Sequence, residues 1–129
     1  RTMLRLGAER DELRVVADQI GSPTSAALIA DITARVLLHS SGLSGTWHLT
    51  SSGRTSWHGF AEAIFAEALA AGMLEKAPLV KAVTSLEYPT PAKRPAWSVL
   101  NNHKLRKDFE IVLPDWQRGL KQIITDLAN

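Results

Sequence analysis

The chain has 129 residues, enough for one domain with a real core. A net charge of +2 is too small to mark a nucleic-acid binder, and the absence of cysteine excludes a disulfide framework and any thiolate metal centre. No apolar run approaches the ~20 residues that span a bilayer, and no stretch resembles a signal peptide. These features predict a cytoplasmic protein with neither nucleic acid nor membrane as partner.

The chain opens with "RTMLRLGAERDEL", already inside an amphipathic pattern. Met3, Leu4 and Leu6 are its apolar positions, and the segment to Leu13 reads as a helix remnant. That start is a first sign of a piece of a longer protein. "RVV" (Arg14 to Val16) reads as a short β-branched strand. "DQIGSPT" (Asp18 to Thr24) reads as a loop, because Gly21, Ser22 and Pro23 all break regular structure. Thr24 or Ser25 can cap the following helix, Ser25 to His39, where Leu28, Ile29, Ile32, Val36 and Leu37 recur at helical spacing. "HSSGLSG" supplies its stop signals.

"TWHLT" (Thr46 to Thr50) reads as a strand. Thr55 or Ser56 caps a third helix with Phe60, Ile64 and Leu69 on one stripe, closed by Gly72. "PLVKAVT" (Pro78 to Thr84) is a further strand candidate. "YPTPAKRP" (Tyr88 to Pro95) is a proline-rich loop, and "SVL" after it is extended. Asn101 or Asn102 caps a short helix from Lys104 to Phe109. Asp115 caps the last helix, whose buried face is Trp116, Leu120, Ile123, Ile124 and Leu127.

Short strands alternating with four to five helices make the class α/β, with an α+β-like character. Residues 1–129 read as one lobe with no internal repeat and no linker. Three strands of a few residues make a thin sheet, and the helix from Ser25 to His39 has apolar surface to spare. A partner domain outside this chain would account for both.

The sequence holds no glycine-rich strand-to-helix turn for a dinucleotide, no P-loop and no Gly-x-Ser-x-Gly elbow. Tyr88 is the only tyrosine and precedes a proline, so it cannot form a helical Tyr-x-x-x-Lys pair. Four histidines show no two-His metal spacing on a helix. His48 reads as a packed or surface residue, and His58, beside Trp57 at a helix start, as a pocket candidate. "DQIGSPT" lies where α/β proteins place ligand contacts, at a strand end, but a plain loop leading into a capped helix has the same sequence. In "YPTPAKRP", Pro91 and Pro95 stiffen the backbone around Lys93 and Arg94. A guanidinium held this way suits bidentate contact with phosphate, and a solvated rigid spacer is the competing reading.

Taken together, "TMLRLGAERDELRVVADQIGSPT", "GTWHLTSSGRTSWHGFAEAIFAEA", "YPTPAKRPAWSVLNNHKL" and "VLPDWQRGLKQII" resemble the C-terminal part of the dTDP-4-dehydrorhamnose reductase family. That family belongs to the extended short-chain dehydrogenase/reductases. The segments occur in family order and cover nearly the whole chain. The resemblance implies a C-terminal substrate-binding lobe whose N-terminal Rossmann domain, binding NADPH or NADH and carrying a Thr/Ser, Tyr and Lys catalytic set, lies outside this sequence.

It implies further that the complete enzyme reduces the 4-keto group of dTDP-4-dehydro-L-rhamnose, and that this chain alone is inactive and binds no cofactor. By carry-over, Asp18, Gln19, Ser22, Pro23 and Thr24 line the sugar or cofactor pocket, and Lys93 and Arg94 lie near the diphosphate. Trp57 is a pocket wall or a hydrophobic anchor, and Trp97 and Trp116 are packing residues. Relatives pair as homodimers through magnesium held by carboxylates, which fall here at Ala27 and Asp126. Ala27 cannot be a ligand, so that magnesium site does not carry over intact. Two other readings stand beside this one: a non-catalytic regulatory or interaction relative, and a reductase lobe for another nucleotide sugar.

Overall fold

The computed structural model describes residues 1–39 and 42–129; Ser40 and Ser41, in the segment read as a helix stop, lie outside it. The described residues form a mixed α/β arrangement. Helix α1 (Thr2–Glu9) leads into strand β1 (Glu12–Val16), and β2 (Ile20–Gly21) precedes α2 (Ala26–His39). Then come β3 (Thr55–Ser56), α3 (Trp57–Ala70), β4 (Leu79–Val83), α4 (His103–Phe109) and α5 (Trp116–Ala128).

α1 is shorter than the amphipathic pattern suggests. The chain turns extended by Arg10, and Leu13 is a buried residue of β1 rather than the end of a helix. β1 pairs in parallel with β4, from Glu12 opposite Leu79 to Val16 opposite Val83. α3 lies against this pair, so Leu13, Ala61 and Phe65 form one core cluster with Leu6, Val15 and Val80 around it. A second cluster joins α3 to α5 through Ile64, Trp116, Leu120 and Ile124, with Met3 and Leu4 of α1 against it. A third packs α2 on α4 through Ile32, Leu105, Phe109, Ile111 and Leu113.

Three caps follow from the sequence. The hydroxyl of Ser25 accepts the N–H of Leu28, that of Ser56 accepts the N–H of Gly59, and the carboxylate of Asp115 accepts the N–H of Gln117. On α5, Ile123 departs from its expected place in the buried face. It is 40% exposed, while Trp116, Leu120 and Ile124 are buried. α2 carries the apolar surplus its sequence suggests, with Ile29, Leu37 and Leu38 exposed.

"TWHLT" is not a strand. The side-chain amide of Asn102 stands where a neighbouring strand would. Its Oδ1 accepts the N–H of Thr50 at 3.1 Å, and its Nδ2 donates to the carbonyl of Thr50 at 2.9 Å. The indole N–H of Trp47 donates to Asp108 at 2.8 Å. The segment is thus docked on α4 by side chains. Asn102 consequently does not cap α4; Asn101 Oδ1 accepts the N–H of His103 instead.

Candidate functional site

The loop "DQIGSPT" contains a strand that composition hides. Ile20 and Gly21 pair antiparallel with Ser56 and Thr55 of β3. On its other side Ile20 meets the segment after the proline loop. Its N–H donates to Ala96 O at 2.8 Å, and its carbonyl accepts the N–H of Ser98 at 2.9 Å. One residue therefore sits between the cap of α3 and the exit of "YPTPAKRP". This draws three distant stretches of sequence around one cleft of about 430 Å³.

One wall is Gln19, Ile20, Gly21, Ser22, Pro23 and Thr24. The opposite side is Thr55, Ser56, Trp57 and Phe60, and Arg94, Pro95 and Ser98 complete the rim. No carboxylate lines it. Among the described residues Arg94 has no ion-pair partner, so its guanidinium carries an uncompensated positive charge onto the cleft. Apolar surface comes from Ile20, Pro23, Trp57, Phe60 and Pro95. Such a mixture of apolar wall and few polar groups is the usual make-up of a small-molecule site.

The polar residues are held by their neighbours. Gln19 Nε2 donates to Ser85 Oγ at 2.9 Å, leaving its carbonyl oxygen to accept from a ligand. Ser22 Oγ donates to Gly53 O at 2.7 Å. Thr24 Oγ1 donates to Ser22 O at 2.9 Å and accepts the N–H of Ser51 at 3.0 Å, which fixes the loop to the chain after Thr50. Trp57 is 58% exposed, an indole wall with one open face. Phe60 lies edge-on to Trp116 and 6.4 Å from Trp57, linking the cleft to the α3–α5 core.

Of the sequence-predicted site residues, Gln19, Ser22, Pro23, Thr24, Trp57 and Arg94 come together here. Asp18 and Lys93 are not among the lining residues. The Asp18 carboxylate accepts the N–H and the hydroxyl of Ser85, and these bonds hold it below the ordinary aspartate pKa. Its evident work is to fasten the end of β1 to the turn after β4. His58, read as a pocket candidate, is absent from the cleft. Its Nε2 is 3.1 Å from the Val80 carbonyl and its Nδ1 is 3.3 Å from Glu62, so it ties α3 to β4. Trp97, expected to pack, is 55% exposed, with Arg54 at 5.3 Å from its ring centroid. Thr55, Phe60 and Ser98 were not anticipated as lining residues; the serine three positions after Pro95 was the one available signal for Ser98.

The described residues do not fit a magnesium site. Ala27 offers only a methyl group, Asp31 pairs with Arg35 at 3.0 Å, and Asp126 accepts from Gln122 at 2.8 Å. No group of three or more ligating side chains occurs among them. Nor do they offer the glycine-rich strand-to-helix turn that holds a dinucleotide pyrophosphate. Among the described residues no helix is long and apolar enough to cross a membrane.

Comparison with known proteins agrees with this architecture. The family described as the RmlD substrate binding domain matches residues 1–129. The chain is 46% identical to the dTDP-4-dehydrorhamnose reductase of Escherichia coli over 130 residues, which is 98% of this chain and 44% of that protein. It is 38% identical to the spore coat polysaccharide biosynthesis protein SpsK of Bacillus subtilis, covering 42% of it. The crystal structure of dTDP-4-dehydrorhamnose reductase from Bacillus anthracis in complex with NADP superposes with a TM-score of 0.83 at 37% identity. The match covers 97% of this chain and 42% of that one. The chain therefore spans less than half the length of the relatives it matches, and it belongs to the RmlD substrate binding domain family.

Proposed function

We propose that this chain is the sugar-nucleotide-binding portion of an NAD(P)H-dependent dTDP-4-dehydrorhamnose reductase. One observation carries the reading: in a chain of this family, Gln19, Ser22, Thr24, Trp57 and Arg94 line a single cleft free of carboxylates. A dTDP-sugar has a diphosphate, an aromatic base and a hydroxylated ring. Arg94 matches the diphosphate as a charge-assisted donor, and Trp57 with Pro95 matches a flat apolar group. Gln19, Ser22 and Thr24 match the hydroxyls.

The work of this lobe is binding and orientation. Affinity for the remote nucleotide fixes the keto sugar against the reacting groups, which converts an encounter into a positioned reaction. NADPH or NADH, held by a Rossmann portion outside this chain, supplies the hydride when bound. The chain by itself is inactive. The partners of the lobe are the dTDP-sugar and that Rossmann portion, and a homodimer is a further assembly of the complete enzyme in a cytoplasmic setting.

The test compares the 129-residue chain with the same chain joined to a family N-terminal portion, following NADPH oxidation with dTDP-4-dehydro-L-rhamnose. Turnover is expected only from the joined protein. Turnover by the short chain, or none by a folded joined protein, overturns the reading. The match to a protein of spore coat polysaccharide biosynthesis favours a second reading, a lobe for another nucleotide sugar. Competition between dTDP- and UDP-sugars separates the two.

A further inference from the structure

Ser22 lines a second cavity as well, of about 520 Å³, together with Ser51, Ser52, Gly53 and the stretch Val99 to His103, with Arg106. Ser51 is the buried polar residue among those described, at 3% exposure. Its N–H is taken by Thr24 Oγ1, but its hydroxyl has no hydrogen-bond partner among the described residues. Among the described residues no side-chain oxygen or nitrogen sealed from the surface lacks a partner, so this hydroxyl opens on the cavity. The hydroxyl is thus left to whatever occupies the cavity, water or a ligand.

The neighbouring groups divide cleanly. Asn102 is spent on Thr50, and the Ser52 hydroxyl is spent on Leu113 O. What is left unspent among the described residues is the Ser51 hydroxyl, the amide nitrogen of Asn101, the ring of His103 and the guanidinium of Arg106. All four can donate, and no carboxylate lines the cavity. Four groups able to donate, one of them a fixed positive charge, with no carboxylate among the lining residues, favour an anion, and the planar fork of arginine matches a tetrahedral oxyanion.

We propose that this cavity is a phosphate-binding site in which Arg106 and Ser51 are the principal contacts, the phosphate being free or borne on a nucleotide. The site is separate from the reading of the cleft, since Arg94 does not line it. The test uses the protein at its natural length, labelled with nitrogen-15 and titrated with inorganic phosphate. Saturable shifts are expected at the amides of Ser51 and of residues 101 to 106. Arg106→Ala and Ser51→Ala should each weaken binding at least tenfold, Arg106→Lys should restore part of it, and Arg94→Ala should leave it unchanged. Displacement of phosphate by dTDP identifies a nucleotide source, and its absence identifies free phosphate. Failure of phosphate to bind, or binding untouched by Arg106→Ala and Ser51→Ala in folded protein, overturns the site. So does equal loss in Arg94→Ala, which would trace the signal to the cleft.

Discussion

Ser98 grips Ile20 twice, donating its N–H to the Ile20 carbonyl at 2.9 Å and its hydroxyl to the same oxygen at 3.1 Å. This clasp sets the distance between the proline loop and the "DQIGSPT" wall. Arg94 reaches the cleft because its loop ends at the clasp, and Lys93, one residue earlier, does not line it. In the complete enzyme, Arg94→Ala should weaken dTDP-sugar binding by about 1.5–3 kcal/mol, the loss of a charge-assisted contact. Lys93→Ala should change it by less than about 0.5 kcal/mol, as expected of an exposed cation. Calorimetric titration of both variants decides the matter; equal effects would remove the distinction between the two cations.

Gly7 is buried in α1 with the ring of Phe65 where a β-carbon would stand. Alanine would improve helix propensity by about 1 kcal/mol. It would also force the fully buried Phe65 to move, an overpacking that costs about 1–3 kcal/mol. Gly7→Ala is therefore expected to destabilise on balance, lowering the urea midpoint. A raised midpoint would show that the α1–α3 contact yields without cost.

Asn102→Ala leaves the N–H and carbonyl of Thr50 without their side-chain partner. Part-buried backbone groups left this way should cost about 1–3 kcal/mol. The change is expected to fall on the Thr46–Thr50 segment, read as faster amide exchange at Thr50. Unaltered exchange there would mean that water replaces the amide at no cost.

Glu110 closes α4 in the left-handed region, at φ 53° and ψ 32°, as the one non-glycine residue with positive φ among those described. A β-carbon in that conformation costs roughly 1 kcal/mol, and Glu110 is exposed. Glu110→Gly should stabilise the protein by about 0.5–1 kcal/mol in thermal or denaturant melts. Destabilisation would assign Glu110 a role beyond the cap.

The Asp18 carboxylate is held below its ordinary pKa by the Ser85 N–H and hydroxyl. A depressed folded-state pKa contributes stability that is present above the unfolded value of about 3.9 and is lost as pH falls through the folded value. Wild type should therefore exceed Asp18→Ala in stability from neutral pH down to about 4, and the gap should close below it. A gap that persists to strongly acidic pH would show that the bond survives protonation of the carboxyl.

The helices were legible because their signals are local. Ser56 and Asp115 announced caps, and Ile64, Leu120 and Ile124 kept their period. The strands were harder. β1 and β4 showed β-branched runs, but β2 is two residues among loop formers, made a strand by Ser56 and by the Ala96 to Ser98 segment. "TWHLT" had the composition of a strand and, among the described residues, no strand beside it. In the site, Arg94 stood out by its prolines. Ser98 and Thr55 did not, because their part depends on a pairing at Ile20 that no local pattern reports. Asp18 carried the same motif as Gln19, yet Ser85, 67 residues away, claims its carboxylate.

The clasp at Ile20 also works in the other direction. A ligand that settles against Arg94 and the "DQIGSPT" wall more tightly when the clasp is closed than when it is open stabilises the closed clasp by that difference in affinity, by the reciprocity of linked equilibria. Occupancy of the cleft would then be recorded in the protection of the Ser98 and Ile20 amides, two backbone protons that serve as an internal gauge of whether the lobe is loaded.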